Sequence, residues 1–423
     1  MPTCLRGPMN LVEQPRIVIR NYFATGSYGH ARSAPSRGMA LTQARRARLG
    51  EIDDPGTIGL PSWITRLGSG DFVLATPENG AEMLVYDAEG RYRESFGRSG
   101  EGPGEFVAPG MGRLRPSPDG GVLILDPMTR RITSLSATRE LLGATQIGDM
   151  MGMNFLPATS GSGFIVGGWG GSADGTPGGV TRMIDAEGVT LADVGDLPHE
   201  RWLQQFFFFP MTTDGEGRVW RARPNEYVVE AWDPEDSAVD IRLEGSPDWF
   251  TPGPPQPGYP LEAPGPSVIG SLAYDEGLLW IATWVADSEW AEVAGARWED
   301  GALDGNKLMD TVLEVIDPRT GALVARTVHD EFLWRTGDGA FLYALRQDGL
   351  VPRAVLYSPS FEGEECPPQD LSVPPRALSA AVVQARRGPG ADEGRRPQSL
   401  TTAGEDASHR TIFPTARPVR WTA

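Results

Sequence analysis

The stretch VYDAEGRYRESFGRSGEGPGEF, residues 85–106, decides the fold of this chain. Two segments with alternating apolar and polar side chains flank the turn 87–90, DAEG, in which Gly90 can take a positive φ, and this pattern predicts a β-hairpin. The glycines after Phe96, with Pro103 among them, can turn sharply but cannot propagate a helix. We therefore expect the chain to leave the outer strand of one small sheet here and to cross to the inner strand of the next.

Similar signals recur along the chain in two interleaved series. One series has six apolar strands, each opened by a Gly- or Asp-bearing turn; the other has six strands that each end in an Asp or Ser. The second series ends at Asp87, Ser136, Asp185, Asp233, Asp317 and Ser358, with spacings of 49, 49, 48, 84 and 41 residues. This period is close to that of a propeller blade. The sequence predicts an all-β, six-bladed β-propeller of four-stranded antiparallel blades.

The glycine-rich stretch resembles the NHL-type repeat of six-bladed β-propellers, and the chain is similar to the wider group of NHL-repeat and TolB-like propellers. Phe96, Gly97, Gly100, Gly102, Gly104 and Phe106 fall on the F-G-x-x-G-x-G-x-G-x-F pattern. The next motif of that family, an Asp followed five residues later by Arg and a β-branched residue, is matched by Asp126, Arg131 and Ile132. We expect Asp126 and Arg131 to form a structural bridge between strands.

The ends of the repeats predict how the ring closes. Blade 6 supplies three strands, at 332–335, 341–345 and 353–357, but the sequence shows no clear fourth strand after them. Residues 45–52 precede the first inner strand at 63–67, and we expect this N-terminal segment to complete blade 6 and remove an exposed edge. The expected domains are a disordered or non-native segment at 1–44, the propeller at 45–365 and a disordered Pro- and Arg-rich tail at 366–423.

Charge and composition limit the classes of partner. The chain has a formal charge of −18, and residues 48–365 alone carry −27, so we expect the propeller to repel nucleic acid and to favour cationic partners, or simply to be soluble. No apolar run is long enough for a transmembrane helix. The resemblance implies an extracytoplasmic location, whereas the N-terminus lacks the apolar segment of a signal peptide. We expect a monomer.

Four segments predicted as long connections map to one face of the ring, which we call the long-loop face. They are residues 167–181, 196–210, 245–267 and 285–310, and they join either the second and third strands of a blade or the fourth strand and the next blade. The turns on the opposite face are short. Because loops carry function on such scaffolds, the long-loop face is the predicted binding surface.

The candidate ligand-binding residues of the long-loop face are aromatic, imidazole and guanidinium side chains: His199, Arg201, Trp202, Trp249, Trp290, Trp298 and His329. The first six lie in the long connections, and His329 lies on the connection between blades 5 and 6. Aromatic side chains on a rim can anchor a partner, but core packing of two of the Phe residues at 206–209 is the preferred interpretation. The seven acids from 287 to 310 could hold a cation, but they lack the spacing of an EF-hand calcium site, so we expect a solvated acidic lid. No catalytic or metal-ligating set emerges from the inner strands.

Two functions remain open. The first is a non-catalytic binding or scaffold propeller that recognises a protein, peptide or glycan on the long-loop face and needs no cofactor. The second is an enzyme, since similar families include metal-dependent lactonases and peptidyl-hydroxyglycine lyase; the resemblance then implies Ca²⁺ or Zn²⁺ at the mouth of the central channel. His199 and His329 alone are too few ligands to indicate such a metal site. We prefer the binding propeller.

Overall fold

The structure is a computed structural model that describes residues 17–19, 39–50, 63–159, 163–171, 177–193, 209–234, 239–253, 264–291, 308–339, 341–348 and 351–361. The chain divides into two compact units, Met1–Ala377 and Leu378–Ala423, and all described residues belong to the first unit. They form strands almost throughout, with short 3-10 helices at Pro77–Asn79 and Pro109–Met111. No helix in this part of the chain has the length and hydropathy needed to cross a membrane.

The strands, numbered in chain order, make six sheets of four antiparallel strands, which confirms the predicted six-bladed β-propeller. Blade 1 consists of β3 (Trp63–Arg66), β4 (Phe72–Ala75), β5 (Met83–Tyr86) and β6 (Tyr92–Phe96). Blade 2 consists of β7 (Leu114–Pro116), β8 (Val122–Asp126), β9 (Arg131–Leu135) and β10 (Leu141–Gln146). Blade 3 consists of β11 (Met151–Pro157), β12 (Phe164–Gly171), β13 (Pro177–Ile184) and β14 (Thr190–Asp193). Blade 4 consists of β15 (Met211–Thr213), β16 (Val219–Arg223), β17 (Val228–Trp232) and β18 (Val239–Glu244). Blade 5 consists of β19 (Val268–Asp275), β20 (Leu278–Ala286), β21 (Met309–Asp317) and β22 (Ala322–His329). Blade 6 consists of β23 (Leu333–Arg335), β24 (Leu342–Asp348), β25 (Val351–Phe361) and β2 (Met39–Leu49).

The N-terminal strand β2 closes the ring as predicted. It pairs antiparallel with β25, from Met39 opposite Phe361 to Leu49 opposite Ala354, and therefore begins six residues before the predicted start at 45. A second strand was not anticipated: β1 (Ile17–Ile19) adds a fifth, parallel strand to the outer edge of blade 4. The rest of the segment 1–44 and the tail 366–423 lie outside the described residues.

The second and third strands of the blades carry most of the core. Every side chain of β4 and of β8 is buried. These strands read as continuous apolar runs because neighbouring blades cover both of their faces. Between blades 4 and 5 Trp220 stacks on Tyr274 at a centroid distance of 6.3 Å. Each fully buried side chain of this size contributes about 1.5–3 kcal/mol, so packing between blades stabilises the ring.

The glycine-rich crossing between blades 1 and 2 is held by two polar side chains of blade 2. The carboxylate of Asp126 is fully buried and accepts hydrogen bonds from four backbone N–H groups. The donors are Val107 at 2.7 Å, Ala108 at 3.3 Å, Met128 at 3.0 Å and Thr129 at 3.3 Å. The buried side chain of Phe106 ends the crossing.

Arg131 binds the same crossing from the neighbouring strand. Its guanidinium donates to the carbonyl oxygens of Glu101 at 2.9 Å and Glu105 at 2.6 Å. Asp126 and Arg131 are paired in the register of β8 and β9, but no ion pair joins their side chains within the described part of the chain. The expected bridge between strands is therefore wrong: both residues stabilise the crossing, because their side chains satisfy its backbone groups.

One predicted long connection is mostly strand. Residues 167–181 were expected to link the second and third strands of blade 3, but β12 and β13 extend through this segment and leave only 172–176 between them. The glycines at 167–171 tolerate pairing at close range: a Cβ on Gly168 would lie 2.2 Å from the carbonyl oxygen of Met151. The other three predicted connections lie only partly within the described residues.

Candidate functional site

Three aspartates meet on the long-loop face of blade 5. Asp287 directly follows β20, Asp310 is the second residue of β21, and Asp330 directly follows β22. In an antiparallel sheet these strand ends share one edge, and one carboxylate oxygen from each residue lies within 4.8 Å of the others. We call these residues the aspartate cluster.

The backbone around the aspartate cluster is fixed by the strands of blade 5. The N–H of Asp287 donates to the carbonyl oxygen of Leu308 at 3.0 Å, which joins the two ends of the long connection. The buried hydroxyl of Thr311 donates to the carbonyl oxygen of Glu331 at 2.7 Å and accepts from the N–H of Leu333 at 2.8 Å. Thr311 thus holds the short link between β22 and β23, and with it Asp330, against the start of β21.

Burial and the crowding of like charges in the aspartate cluster change the pKa of Asp310. Burial, followed by the charges of Asp287 and Asp330, raises the pKa of Asp310 from 3.8 to about 7. The Oδ1 atom of Asp310 is shielded from solvent and has no hydrogen-bond partner. Asp310 therefore keeps its proton to near neutral pH, because a further negative charge beside the other two carboxyls is unfavourable. A cation beside them would relieve this repulsion.

A second polar group, the Glu331 network, adjoins the aspartate cluster between blades 5 and 6. The Glu331 carboxylate accepts hydrogen bonds from Tyr357 at 2.5 Å and from Arg346 at 2.5 and 3.0 Å, and it contacts His329 Nε2 at 2.9 Å. The Tyr357 ring also lies edge-on to His329 with centroids 5.0 Å apart. The network fixes the imidazole of His329 at the end of β22.

Electrostatics keep Glu331 charged. Burial alone would raise its pKa, but the hydrogen bonds from His329, Arg346 and Tyr357 outweigh that effect and lower the pKa from 4.5 to about 2. Burial and the neighbouring Glu331 raise the pKa of Tyr357 well above its usual range, so Tyr357 remains a neutral donor. Glu331 is thus satisfied and structural, in contrast to the aspartate cluster, whose negative charge lacks an opposing partner in the described contacts.

The predicted site residues fall into three groups. His199, Arg201, Trp202 and Trp298 lie outside the described residues. His329 and Trp290 lie at the aspartate cluster, where the N–H of Trp290 donates to the carbonyl oxygen of Asp287 at 3.2 Å.

Trp249 lies elsewhere, against blades 4 and 5. Its ring contacts Tyr227 at a centroid distance of 5.5 Å and Phe250 at 6.0 Å, and the guanidinium of Arg326 lies 5.5 Å from it. These contacts pack Trp249 between aromatic and aliphatic groups of the fold. A ligand-binding role for Trp249 stays a prediction.

The predicted site residues did not include Asp330 and Glu331. The prediction relied on long connections, and the link between β22 and β23 is short. The signal was nevertheless present in the triplet His329, Asp330 and Glu331. Side chains alternate along an extended chain, so His329 and Glu331 point towards blade 6 while Asp330 points to the other side, towards Asp310.

The raised pKa of Asp310 predicts a pH-dependent effect of its neutralisation. Between pH 4 and 7 the folded protein keeps a proton that the unfolded chain has released, so the wild-type free energy of unfolding falls as the pH rises through this window. The Asp310→Asn variant has no ionisable group at this position, so its free energy of unfolding does not fall for this reason. We expect it to stabilise the protein by about 1 kcal/mol at pH 8, after allowance for solvent screening, and to change little at pH 4.

Thermal denaturation of wild type and Asp310→Asn at both pH values measures this effect. Asp119→Asn is the control, because Asp119 is an exposed acid on the opposite, short-turn face and should show the same small effect at both pH values. An Asp310→Asn effect that does not depend on pH would contradict the raised pKa of Asp310.

Comparison with known proteins adds the following. No protein-family model matches the sequence, and no curated protein matches it. A solved Bacteroides fragilis protein described as exported is 9% identical, with a TM-score of 0.47 over 77% of this chain and 95% of that one. A DUF4221 family member from Bacteroides vulgatus is also 9% identical, with a TM-score of 0.47; the match covers 78% of this chain and 99% of that one. Virginiamycin B lyase from Staphylococcus aureus is 9% identical, with a TM-score of 0.41; the match covers 76% of this chain and 99% of that one.

Proposed function

We propose that this propeller is a non-catalytic binding module that takes a protein or peptide on its long-loop face, and that the aspartate cluster receives a lysine or arginine side chain of the partner. The observation that carries the proposal is the convergence of Asp287, Asp310 and Asp330 within 4.8 Å. Three carboxyls this close repel one another, so a guanidinium or ammonium group placed among them gains charge-assisted hydrogen bonds and relieves the repulsion.

The surroundings of the aspartate cluster support a cationic partner. The charge of −27 on residues 48–365 attracts positively charged molecules over distances of about 10 Å at moderate salt. Asp310 lies only partly exposed and Trp290 lies beside Asp287. A partly shielded acidic site next to an aromatic side chain suits the long aliphatic stem and charged end of Lys or Arg.

The alternative is an enzyme that uses the same carboxylates to hold a divalent metal. Carboxylate oxygens are ligands that Ca²⁺ prefers, and His329 is close in sequence to Asp330. His329, however, is engaged with Glu331 and Tyr357. Metal analysis of the purified protein separates the two functions: stoichiometric, tightly held Ca²⁺ or Zn²⁺ would favour the enzyme, and its loss on chelation should then abolish any activity.

Selection of a random peptide library on the immobilised protein tests the binding module. We expect the selected peptides to be rich in Lys or Arg. Asp310→Asn should weaken the best of them about tenfold, equivalent to about 1.4 kcal/mol, as measured by fluorescence anisotropy at pH 8. Binding to wild type should also weaken from pH 8 to pH 5, because protonation of Asp310 removes one negative charge from the cluster.

Asp119→Asn is the matched control, since it removes one acid from the short-turn face and should leave the affinity unchanged. Selected peptides without basic residues, or equal losses in the Asp119 and Asp310 variants, would rule out recognition through the aspartate cluster. Selective binding of a neutral glycan would point to the same face with a different class of ligand.

A further inference from the structure

Three arginines lie along the axis of the ring, on its innermost strands. Arg113 directly precedes β7 and Arg115 lies within it, in blade 2, whereas Arg335 ends β23 in blade 6. All three side chains are only part-exposed. Innermost strands of a propeller are covered by neighbouring blades, so the remaining exposure of these side chains opens towards the central channel.

Arg115 and a turn of blade 6 narrow the channel. The guanidinium of Arg115 donates to the carbonyl oxygens of Gly337 at 2.6 Å and Phe155 at 3.1 Å, and to Asn154 Oδ1 at 3.1 Å, and so joins blades 2, 3 and 6. Gly337 is packed so closely that a Cβ there would lie 1.9 Å from the carbonyl oxygen of Leu114. These three acceptors of Arg115 are neutral, so the hydrogen bonds bring no negative charge to its guanidinium.

Arg113 lies beside this constriction, on the side of the long-loop face, because β7 runs from that face to the short turns. Its Cζ atom lies 3.3 Å from the centroid of the Trp63 ring. Its Nε is buried without a hydrogen-bond partner, and no ion pair joins it to a described residue. Stacking occupies one face of the guanidinium plane and leaves its N–H edge available to a ligand.

No carboxylate among the described residues offsets the charge of Arg113. Burial, aided by the charge of Arg115, lowers the pKa of Arg113 to about 9, so it remains protonated at neutral pH. Asp338 offsets part of the charge of Arg115 and of Arg335. The phenol of Tyr343 interacts with Arg113, but burial raises the pKa of Tyr343 well above its usual range, so it supplies no negative charge.

We propose that the central channel contains an anion site, in which the N–H edge of Arg113, assisted by the charge of Arg115, binds a small oxyanion, namely a carboxylate or a phosphate. A planar guanidinium forms paired hydrogen bonds with either group. The site lies at the axis, apart from the aspartate cluster, and its ligand has the opposite charge. It therefore does not depend on the proposed function.

Isothermal titration of the full chain with sodium phosphate and with sodium acetate, at constant chloride, tests the site and distinguishes the two sources of oxyanion. We expect saturable one-to-one binding of at least one anion with a dissociation constant of about 1 mM or tighter. Arg113→Gln should weaken this binding at least about tenfold. Arg319→Gln is the control, because the side chain of Arg319 is 82% exposed and pairs with Asp317. This variant should bind the anion with the same dissociation constant as wild type.

Near-ultraviolet circular dichroism establishes that each variant is folded. Should Arg113→Gln fail to fold, Arg113→Lys keeps the positive charge but loses the paired N–H edge, and we expect it to weaken binding about tenfold. No saturable binding of either anion to wild type would overturn the proposal. Equal losses in the Arg113 and Arg319 variants would overturn it as well, because they would show attraction to the overall charge and not to the site.

Discussion

Deletion of β2, Met39–Leu49, is expected to lower the free energy of unfolding by about 5 kcal/mol, a large part of the stability of a typical domain. The deletion removes the buried side chains of Met39 and Leu49. It also leaves the backbone of β25 unpaired on one side, from Ala354 to Phe361. Both losses act together because β2 joins the first part of the chain to the last blade. Chemical denaturation of the purified variants measures the change.

Deletion of residues 1–38 is the matched control, since it shortens the same end of the chain and leaves β2 intact. We expect it to cost much less, and a synthetic peptide that spans 39–50 should restore stability to the variant that lacks β2 by pairing with β25. An unchanged midpoint of denaturation after loss of β2 would show that the ring closes without it.

Asp126→Ala should destabilise the protein by about 3–4 kcal/mol, because it leaves four backbone N–H groups without the buried carboxylate that accepts their hydrogen bonds. Four backbone N–H groups depend on this one carboxylate, two of them in the crossing between blades 1 and 2. We expect limited proteolysis to cleave first within 97–108, since the crossing loses its attachment to blade 2 before the blades separate.

Asp126→Asn provides the matched control. It preserves the shape of the side chain and one acceptor oxygen, so about half of the destabilisation should remain. Equal stability of the Ala variant and wild type would mean that the crossing is held by Arg131 and Phe106 alone.

The architecture could be predicted because its determinants are local and repeated. Turns such as 87–90 depend on chemistry within a few residues: Asp87 Oδ1 accepts the N–H groups of Glu89 and Arg91, and Gly90 takes a φ of +82°. The extent of β2 was harder to predict. Its sequence, MALTQARRARL, has only three large apolar residues, and its pairing depends on β25, far away in the chain.

The sequence predicted which face of the ring carries the candidate site, but it did not predict the aspartate cluster. Asp287 and Asp310 were recognised within an acidic segment, but their convergence with Asp330 depends on the register of β21 with β20 and β22, which places Val285 opposite Asp310 and Thr311 opposite His329. The axial arginines depend likewise on tertiary contacts: the guanidinium of Arg115 reaches Gly337, more than two hundred residues away in the chain. Apart from the triplet 329–331, neither arrangement leaves a signal in the spacing of residues along the sequence.

The most direct test of the proposed binding function is amide hydrogen exchange with and without a basic peptide selected on the protein. Protection is predicted at 285–291, 308–311 and 328–332, where the aspartate cluster lies, and it should disappear with Asp310→Asn. Protection confined to short turns of the opposite face, such as 117–121, would contradict recognition on the long-loop face.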